Sequence, residues 1–284
     1  MTARIIEVSD VDYYADNVGL DVPTLSYSVA KTILMDSPER ARLEHPKLGA
    51  KRREPSTAMD LGNVIDSLLL CNGQGLCVID AADYRNKDAQ ADRDAAREKR
   101  EIPVLLKIYE KCKLAVAAYK AKIEALGISL DGKSQVTILW TEETSLGPVW
   151  CKGKLDHLRL NYNQILDLKS TAGSASTAQV AKNIFERGYD IQQAAYTSAV
   201  ERVYPRLIGR TEFLWITVEV DEPYPVSVVR PDGALKELGR RRWRRSCEVW
   251  ARCLKENSWP SYSSRIETVS APPWALKEEM IPLD

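Results

Sequence analysis

Two short segments place acidic and basic side chains at spacings that could do chemistry. The first, KGKLDHL, carries Lys154 and Asp156; the second, ILDLKS, carries Asp167 and Lys169. Both read as strands. Side chains alternate along a strand, so Lys154 shares a face with Asp156, and Asp167 shares one with Lys169. Leu166 and Leu168 fall on the opposite face. If the strands pair through a turn at Asn161-Tyr162-Asn163, both carboxylates reach one point. Two carboxylates at one point repel unless a cation lies between them. An all-oxygen donor set suits Mg²⁺ or Mn²⁺. A lysine one pleat further on can orient a water or neutralise developing negative charge. D-x-K alone is a common tripeptide, equally at home on a solvated strand face. The preceding G-x-x-D strand and the helices that follow tip the balance toward a site.

Three further groups bear on that point. Gln192 and Tyr196 lie one helical turn apart, so one helix face presents both. Asp66 sits among Val64, Ile65, Leu68 and Leu69. A carboxylate there needs a partner or stays protonated; a metal ion is one such partner and a structural Arg or Lys another. The segment 232–256 has an apolar stripe through Leu235, Gly239, Trp243, Cys247, Trp250 and Leu254, flanked by Arg240 with Arg244 and by Arg241 with Arg245. Arginine forks suit phosphate, and a solvated amphipathic helix paired with acids accounts for the pattern equally well. Lys51–Arg53 and the basic residues of 93–100 are weaker candidates. His45 and His157 are the only histidines. They build no triad, and His157 points to the face opposite Asp156.

The elements that must position these groups follow from periodicity and caps. The first 25 residues look irregular. Ser26 caps a short helix, and Ser37-Pro38 opens another. Thr57 to Asp60 has capping-box spacing ahead of LGNVIDSLLLC, which is apolar nearly all round and predicts a buried helix. Residues 81–101 are charge-dense and suggest a solvated helix or mobile arm. A helix follows at 104–126. The period then changes, with strands at 134–142, 148–160 and 164–169. Helices at 175–187 and 190–204 meet at Gly188, strands fit 211–220 and 224–230, and a last helix runs 232–256. That order is an α+β layout with a mixed sheet.

Composition bounds the rest. The 284 residues carry 40 Lys+Arg against 40 Asp+Glu, which rules out a basic tail or a uniformly cationic surface. Local patches can still bind phosphate. No apolar run approaches the roughly 18 residues of a membrane span. The start has no leader-like layout. Six scattered cysteines without a CxxC suggest reduced thiols and a cytoplasmic protein.

Gly153-x-x-Asp156, then Asp167-Leu168-Lys169, then Gln192-x-x-x-Tyr196 together resemble the RecB-like branch of the PD-(D/E)xK nuclease superfamily, most of all its phage and prophage exonuclease VIII (RecE-like) group. LSYSVAKTILMDSPERARLEH resembles that group's N-terminal helix motif, Gly62-Asn63-Val64-Ile65-Asp66 its glycine-to-histidine helix, and WPSY…APPWA its C-terminal segment. The resemblance covers most of the chain. It implies a single nuclease domain over 1–284 with an α/β/α restriction-endonuclease-like core and mixed central sheet. A helical part spans 1–130, the catalytic core 131–230, and a C-terminal helix and tail 231–284. It implies Mg²⁺ or Mn²⁺ held by Asp66, Asp156, Asp167 and the carbonyl of Leu168. It makes Asp156, Asp167 and Lys169 catalytic and puts Gln192 and Tyr196 against DNA, where Arg240, Arg241 and Arg244 of the arginine-rich segment would join them. The implied activity is 5′-to-3′ resection of linear double-stranded DNA ends for phage-type recombination. A homo-oligomeric ring and a single-strand annealing partner come with it, in a bacterial or phage-encoded protein. The alternatives are a RecB-like defence endonuclease and a catalytically silent DNA-binding recombination protein. Asp66 departs from the group, which has histidine there. Cys247 and Cys253 do not reproduce the cysteine pattern of the iron–sulfur relatives, so no cluster is expected.

Overall fold

The computed structural model describes residues 2–49, 57–70, 75–263 and 265–271. In chain order its elements are β1 (Ala3–Ile6), α1 (Asp10–Tyr14), α2 (Tyr27–Met35), α3 (Pro38–Glu44), α4 (Thr57–Leu70), β2 (Leu76–Ile79), α5 (Lys87–Glu98), β3 (Ile102–Leu105) and α6 (Leu106–Ala125). They continue with β4 (Lys133–Thr144), β5 (Gly147–Arg159), β6 (Gln164–Thr171), α7 (Thr177–Glu186), α8 (Tyr189–Val203), β7 (Glu212–Glu219), β8 (Val226–Val229) and α9 (Gly233–Glu256).

One six-stranded sheet has the order β1-β4-β5-β6-β7-β8. Its neighbours are antiparallel except β6 and β7, which run parallel, so α7 and α8 form the crossover between them. Alternation along the strands builds two cores. Ile165, Phe213 and Trp215 face α2, α7, α8 and α9, whereas Leu166, Leu168 and Ile216 face α4 and α6. The result is a helix–sheet–helix sandwich of the restriction-endonuclease-like kind. No described helix is long and apolar enough to cross a membrane.

Local signals explain the joints. Asn163 takes φ +53° in the β5–β6 turn, a left-handed position that asparagine tolerates. Gly188, at φ +67°, breaks α7 from α8. Ser26 and Ser37 cap α2 and α3 through bonds to Val29 N–H and Arg40 N–H. Gly239 lets α9 reach α8, since a Cβ there would stand 2.4 Å from the Asp190 carbonyl oxygen. Beside it Arg242 grips the fully buried Asp190 carboxylate with two bonds of 2.8 and 3.0 Å.

Three strands and one helix fall where none was expected. β1 and α1 lie within the first 25 residues, and β2 and β3 form a separate parallel pair. Each of these strands has four residues, too few to show a period. The charge-dense stretch becomes α5, which buries Ala89 and Ala96 and leads into β3. Lys51–Arg53, Cys71 and residues 272–284, with most of APPWA, lie outside the described residues.

Candidate active site

β5 and β6 pair only over His157–Arg159 and Gln164–Leu166, then part. Leu155 and Leu158 enter the same core although three residues apart, so strict alternation slips between them. The ladder to β4 also skips Gln135 opposite Asp156, and Gln135 takes φ +52°. Asp156 therefore sits at the fork where the two strands separate. Its Oδ2 accepts the Leu168 backbone N–H at 2.8 Å, taking the place of a strand carbonyl. His157, opposite Leu166, is buried with Nδ1 3.0 Å from Ser134 Oγ and stays structural.

Asp167 is 1% exposed. Its Oδ1 accepts from Gln192 Nε2 at 2.8 Å and its Oδ2 lies 2.5 Å from Lys169 Nζ. Burial pushes its carboxyl up to about 7, with Asp156 adding to the rise and Lys169 opposing it. Burial works to deprotonate Lys169, but Asp167 and Asp156 outweigh it and hold the ammonium charged. From the other side of the sheet Tyr119 accepts from the Lys169 N–H at 3.2 Å and donates to the Ile216 carbonyl at 2.8 Å, fixing β6 at this point.

Asp66 comes from α4 on that same side. Burial raises its carboxyl well above the ordinary range, and Asp156 and Asp167 raise it further against Lys169 and Lys154. It forms no hydrogen bond or ion pair among the described residues. A Cβ at Gly62 would stand 3.7 Å from Ser170 Oγ, an ordinary contact, so that glycine is not needed for close approach. Asp66, Asp156 and Asp167 lie near enough to raise one another's pKa, and Asp66 has no partner among the described residues, so they form an oxygen donor set deficient in positive charge that suits a hard divalent cation. Among the described residues no three His, Cys, Asp or Glu side chains close a cage by themselves. Remaining positions would fall to the Leu168 carbonyl, water and substrate, as suits an ion that dehydrates reluctantly.

Gln192 and Tyr196 lie inward of the carboxylates, each 4% exposed. Gln192 reaches Asp167. The ring of Tyr196 lies over Gly153, where a Cβ would come within 2.8 Å of its Cε1, so the G-x-x-D glycine and this tyrosine form one packing unit. α8 is covered by the sheet and by α9, and its first half is buried all round. Arg240, Arg241 and Arg244 are exposed on α9; the first pairs with Glu237 at 2.9 Å and the second approaches it at 3.9 Å. Arg93 pairs with Asp94 at 2.8 Å.

Lys154 leaves the carboxylates to its neighbours and pairs with Asp10 of α1 at 2.8 Å, beneath the rings of Tyr13 and Tyr14. Sequence reasoning missed this strap. Its signal was present: Ser9 accepts from the Asp12 N–H at 3.1 Å, an N-cap legible in SDVD.

Fold and site together define a RecB-like member of the PD-(D/E)xK nuclease superfamily. More narrowly, residues 26–272 match the family described as PDDEXK-like domain of unknown function (DUF3799), and the chain belongs to it. The solved structure of a "Putative exonuclease" from Eubacterium rectale is similar over 95% of this chain and 98% of its own, with TM-score 0.62 and 16% identity, a likeness of fold. A phage related exonuclease from Haemophilus somnus 129PT is similar over 68% of this chain and 95% of its own, with 16% identity and TM-score 0.33. Among curated proteins none matches.

Proposed function

We propose that this nuclease-like chain is a metal-dependent deoxyribonuclease that degrades linear double-stranded DNA from its ends. The observation that carries the reading is the fork at Asp156. Opening β5 from β6 leaves Asp156, Asp167 and Lys169 around a strand edge that β5 no longer pairs, with Asp66 brought to them by α4. Mg²⁺ or Mn²⁺ held by Asp66, Asp156, Asp167 and the Leu168 carbonyl would supply a doubly charged centre that polarises the phosphate and acidifies a water. The side chains do the rest. Lys169 balances charge on the phosphate or orients the water. Gln192 holds the Asp167 carboxylate by its Oδ1, and Tyr196 sets the depth of β5 under α8. Arg240, Arg241 and Arg244 offer an outer contact for the DNA backbone. Cleavage from the 5′ side in recombination, a ring-like oligomer and a single-strand annealing partner belong to this reading through the family resemblance.

The test is digestion of end-labelled linear duplex beside a covalently closed circle, in Mg²⁺, Mn²⁺ or EDTA. The expected result is metal-dependent loss of the linear duplex with the circle intact. A nicked circle makes the protein an endonuclease. DNA binding without cleavage in either metal makes it a silent recombination protein.

A further inference from the structure

Beside Lys169, on the α7–α8 side of the sheet, lies a small open cleft of about 20 Å³ whose lining includes Lys169, Thr171, Asn183, Arg187, Trp215 and Thr217. Its floor is tied to the carboxylates by register, since Asp167 pairs with Trp215 and Lys169 with Thr217 across β6 and β7. We propose that this cleft is a phosphate subsite, gripping a phosphate group of the DNA strand next to the one that reacts. The proposal rests on the nuclease reading for its ligand, though not for its chemistry.

The chemistry is an excess of donors. Trp215 is 1% exposed, and its indole N–H is buried without a hydrogen-bond partner among the described residues. Folded interiors rarely leave such a donor unmade unless something else supplies the acceptor. The Asn183 carboxamide oxygen accepts from Gln179 Nε2 at 3.1 Å, which leaves its NH₂ to donate. Thr171 Oγ1 accepts from the Gly173 N–H at 3.0 Å, which leaves its hydroxyl hydrogen to donate. Arg187 is exposed at the rim and forms no ion pair among the described residues. Among the described residues that line the cleft there is no carboxylate. α8 begins at Tyr189 on the same wall, and its Gly188 cap provides no side chain for the first-turn amides. A helix start of this kind favours an anion. The set excludes a metal ion, which would need anionic ligands, and calls for a negatively charged acceptor. A guanidinium fork beside hydroxyl, amide and indole donors matches the oxygens of phosphate.

The experiment uses the full chain labelled with ¹⁵N-tryptophan, in EDTA so that nothing is cut. The Trp215 indole resonance is assigned by its loss in Trp215→Phe, or in Trp215→Tyr if the first variant fails to fold. The probes are inorganic phosphate, a short duplex with 5′-phosphate ends, and the same duplex with 5′-hydroxyl ends. The expected result is a downfield move of that resonance with inorganic phosphate and with at least one duplex. Arg187→Ala should weaken the response about tenfold, as loss of one charge-assisted bond would. Tighter binding of the 5′-phosphate duplex assigns the subsite to a terminal phosphate, and equal binding assigns it to an internal one. A Trp215 resonance unmoved by all three probes overturns the proposal, as does a response unchanged in Arg187→Ala. The two readings fail separately. A protein that shows the shift but never cleaves DNA keeps the subsite and loses the nuclease activity; one that cleaves without the shift loses only the subsite.

Discussion

Asp16 and Asp167 are both buried carboxylates that lie against β5, one beside Lys152 and the other beside Asp156, and their surroundings differ in kind. Asp16, fully buried, accepts from the Thr24 N–H at 3.0 Å and from the Thr24 hydroxyl. Lys152 Nζ lies 2.7 Å away, with His45 Nε2 at 3.6 Å and Lys47 at 3.9 Å. Every lone pair has an answer and positive charge is plentiful. Two residues past Lys152 the balance reverses. Lys154 goes to Asp10, and Lys169 is left among Asp66, Asp156 and Asp167. A satisfied network docks the N-terminal strap onto the sheet. An unsatisfied one stores a demand for positive charge at the fork, and that demand distinguishes a reactive site from a structural ion pair.

The contrast can be broken at its structural end. Lys152→Met leaves Asp16 buried with its nearest cation gone, which should cost about 3–5 kcal/mol of stability. Denaturant unfolding measures it, and a cost under about 1 kcal/mol would mean Lys47 and His45 suffice.

At the reactive end the effect should fall on rate. Lys169→Ala should lower cleavage by about 10²–10³-fold, the usual cost of losing a preorganised charge, while DNA binding stays near wild type. Collapse of binding instead would make Lys169 a phosphate anchor.

Gly153→Ala joins the two regions, because its methyl meets the Tyr196 ring. Overpacking of this kind should cost about 1–3 kcal/mol. Tyr196→Leu in the same chain should recover part of it, as a double-mutant cycle would reveal.

The smallest effect concerns pH. Burial lowers the pKa of His45, as do Lys152 and Lys47, against Asp16 and the Thr24 carbonyl. The unfolded chain therefore binds a proton more readily. The contribution of His45 is fully present above its unfolded pKa of about 6.5 and is lost as pH falls below it. Comparing urea midpoints at pH 7.5 and 5.5, His45→Gln should lose less stability on acidification than wild type does.

Much of the fold was legible because its signals are local. The turn at Asn161–Asn163, the Gly188 break and the long strands β4 to β6 all announce themselves over a few residues. β1, β2 and β3 were not legible, since four-residue strands owe their existence to distant partners. The meeting of Asp156 with the β6 edge followed from pairing through the turn. The slip in β5 that turns Asp156 into the fork did not, because strict alternation hides it. Gln192 and Tyr196 do share a helix face, but periodicity cannot say that the face looks into the sheet. Trp215 and Arg187 were not legible, for only the parallel register of β7 brings Trp215, and only the α7 crossover brings Arg187, beside Lys169.

The central claim is that the unmet negative charge at the fork is a cation site. Direct measurement of Mn²⁺ binding by electron paramagnetic resonance tests it, with wild type, Asp167→Ala and Asp16→Asn compared without DNA. The account predicts saturable binding in wild type, retention of binding in folded Asp16→Asn, and loss in Asp167→Ala with no fall in melting temperature. Equal Mn²⁺ binding by wild type and Asp167→Ala would contradict it.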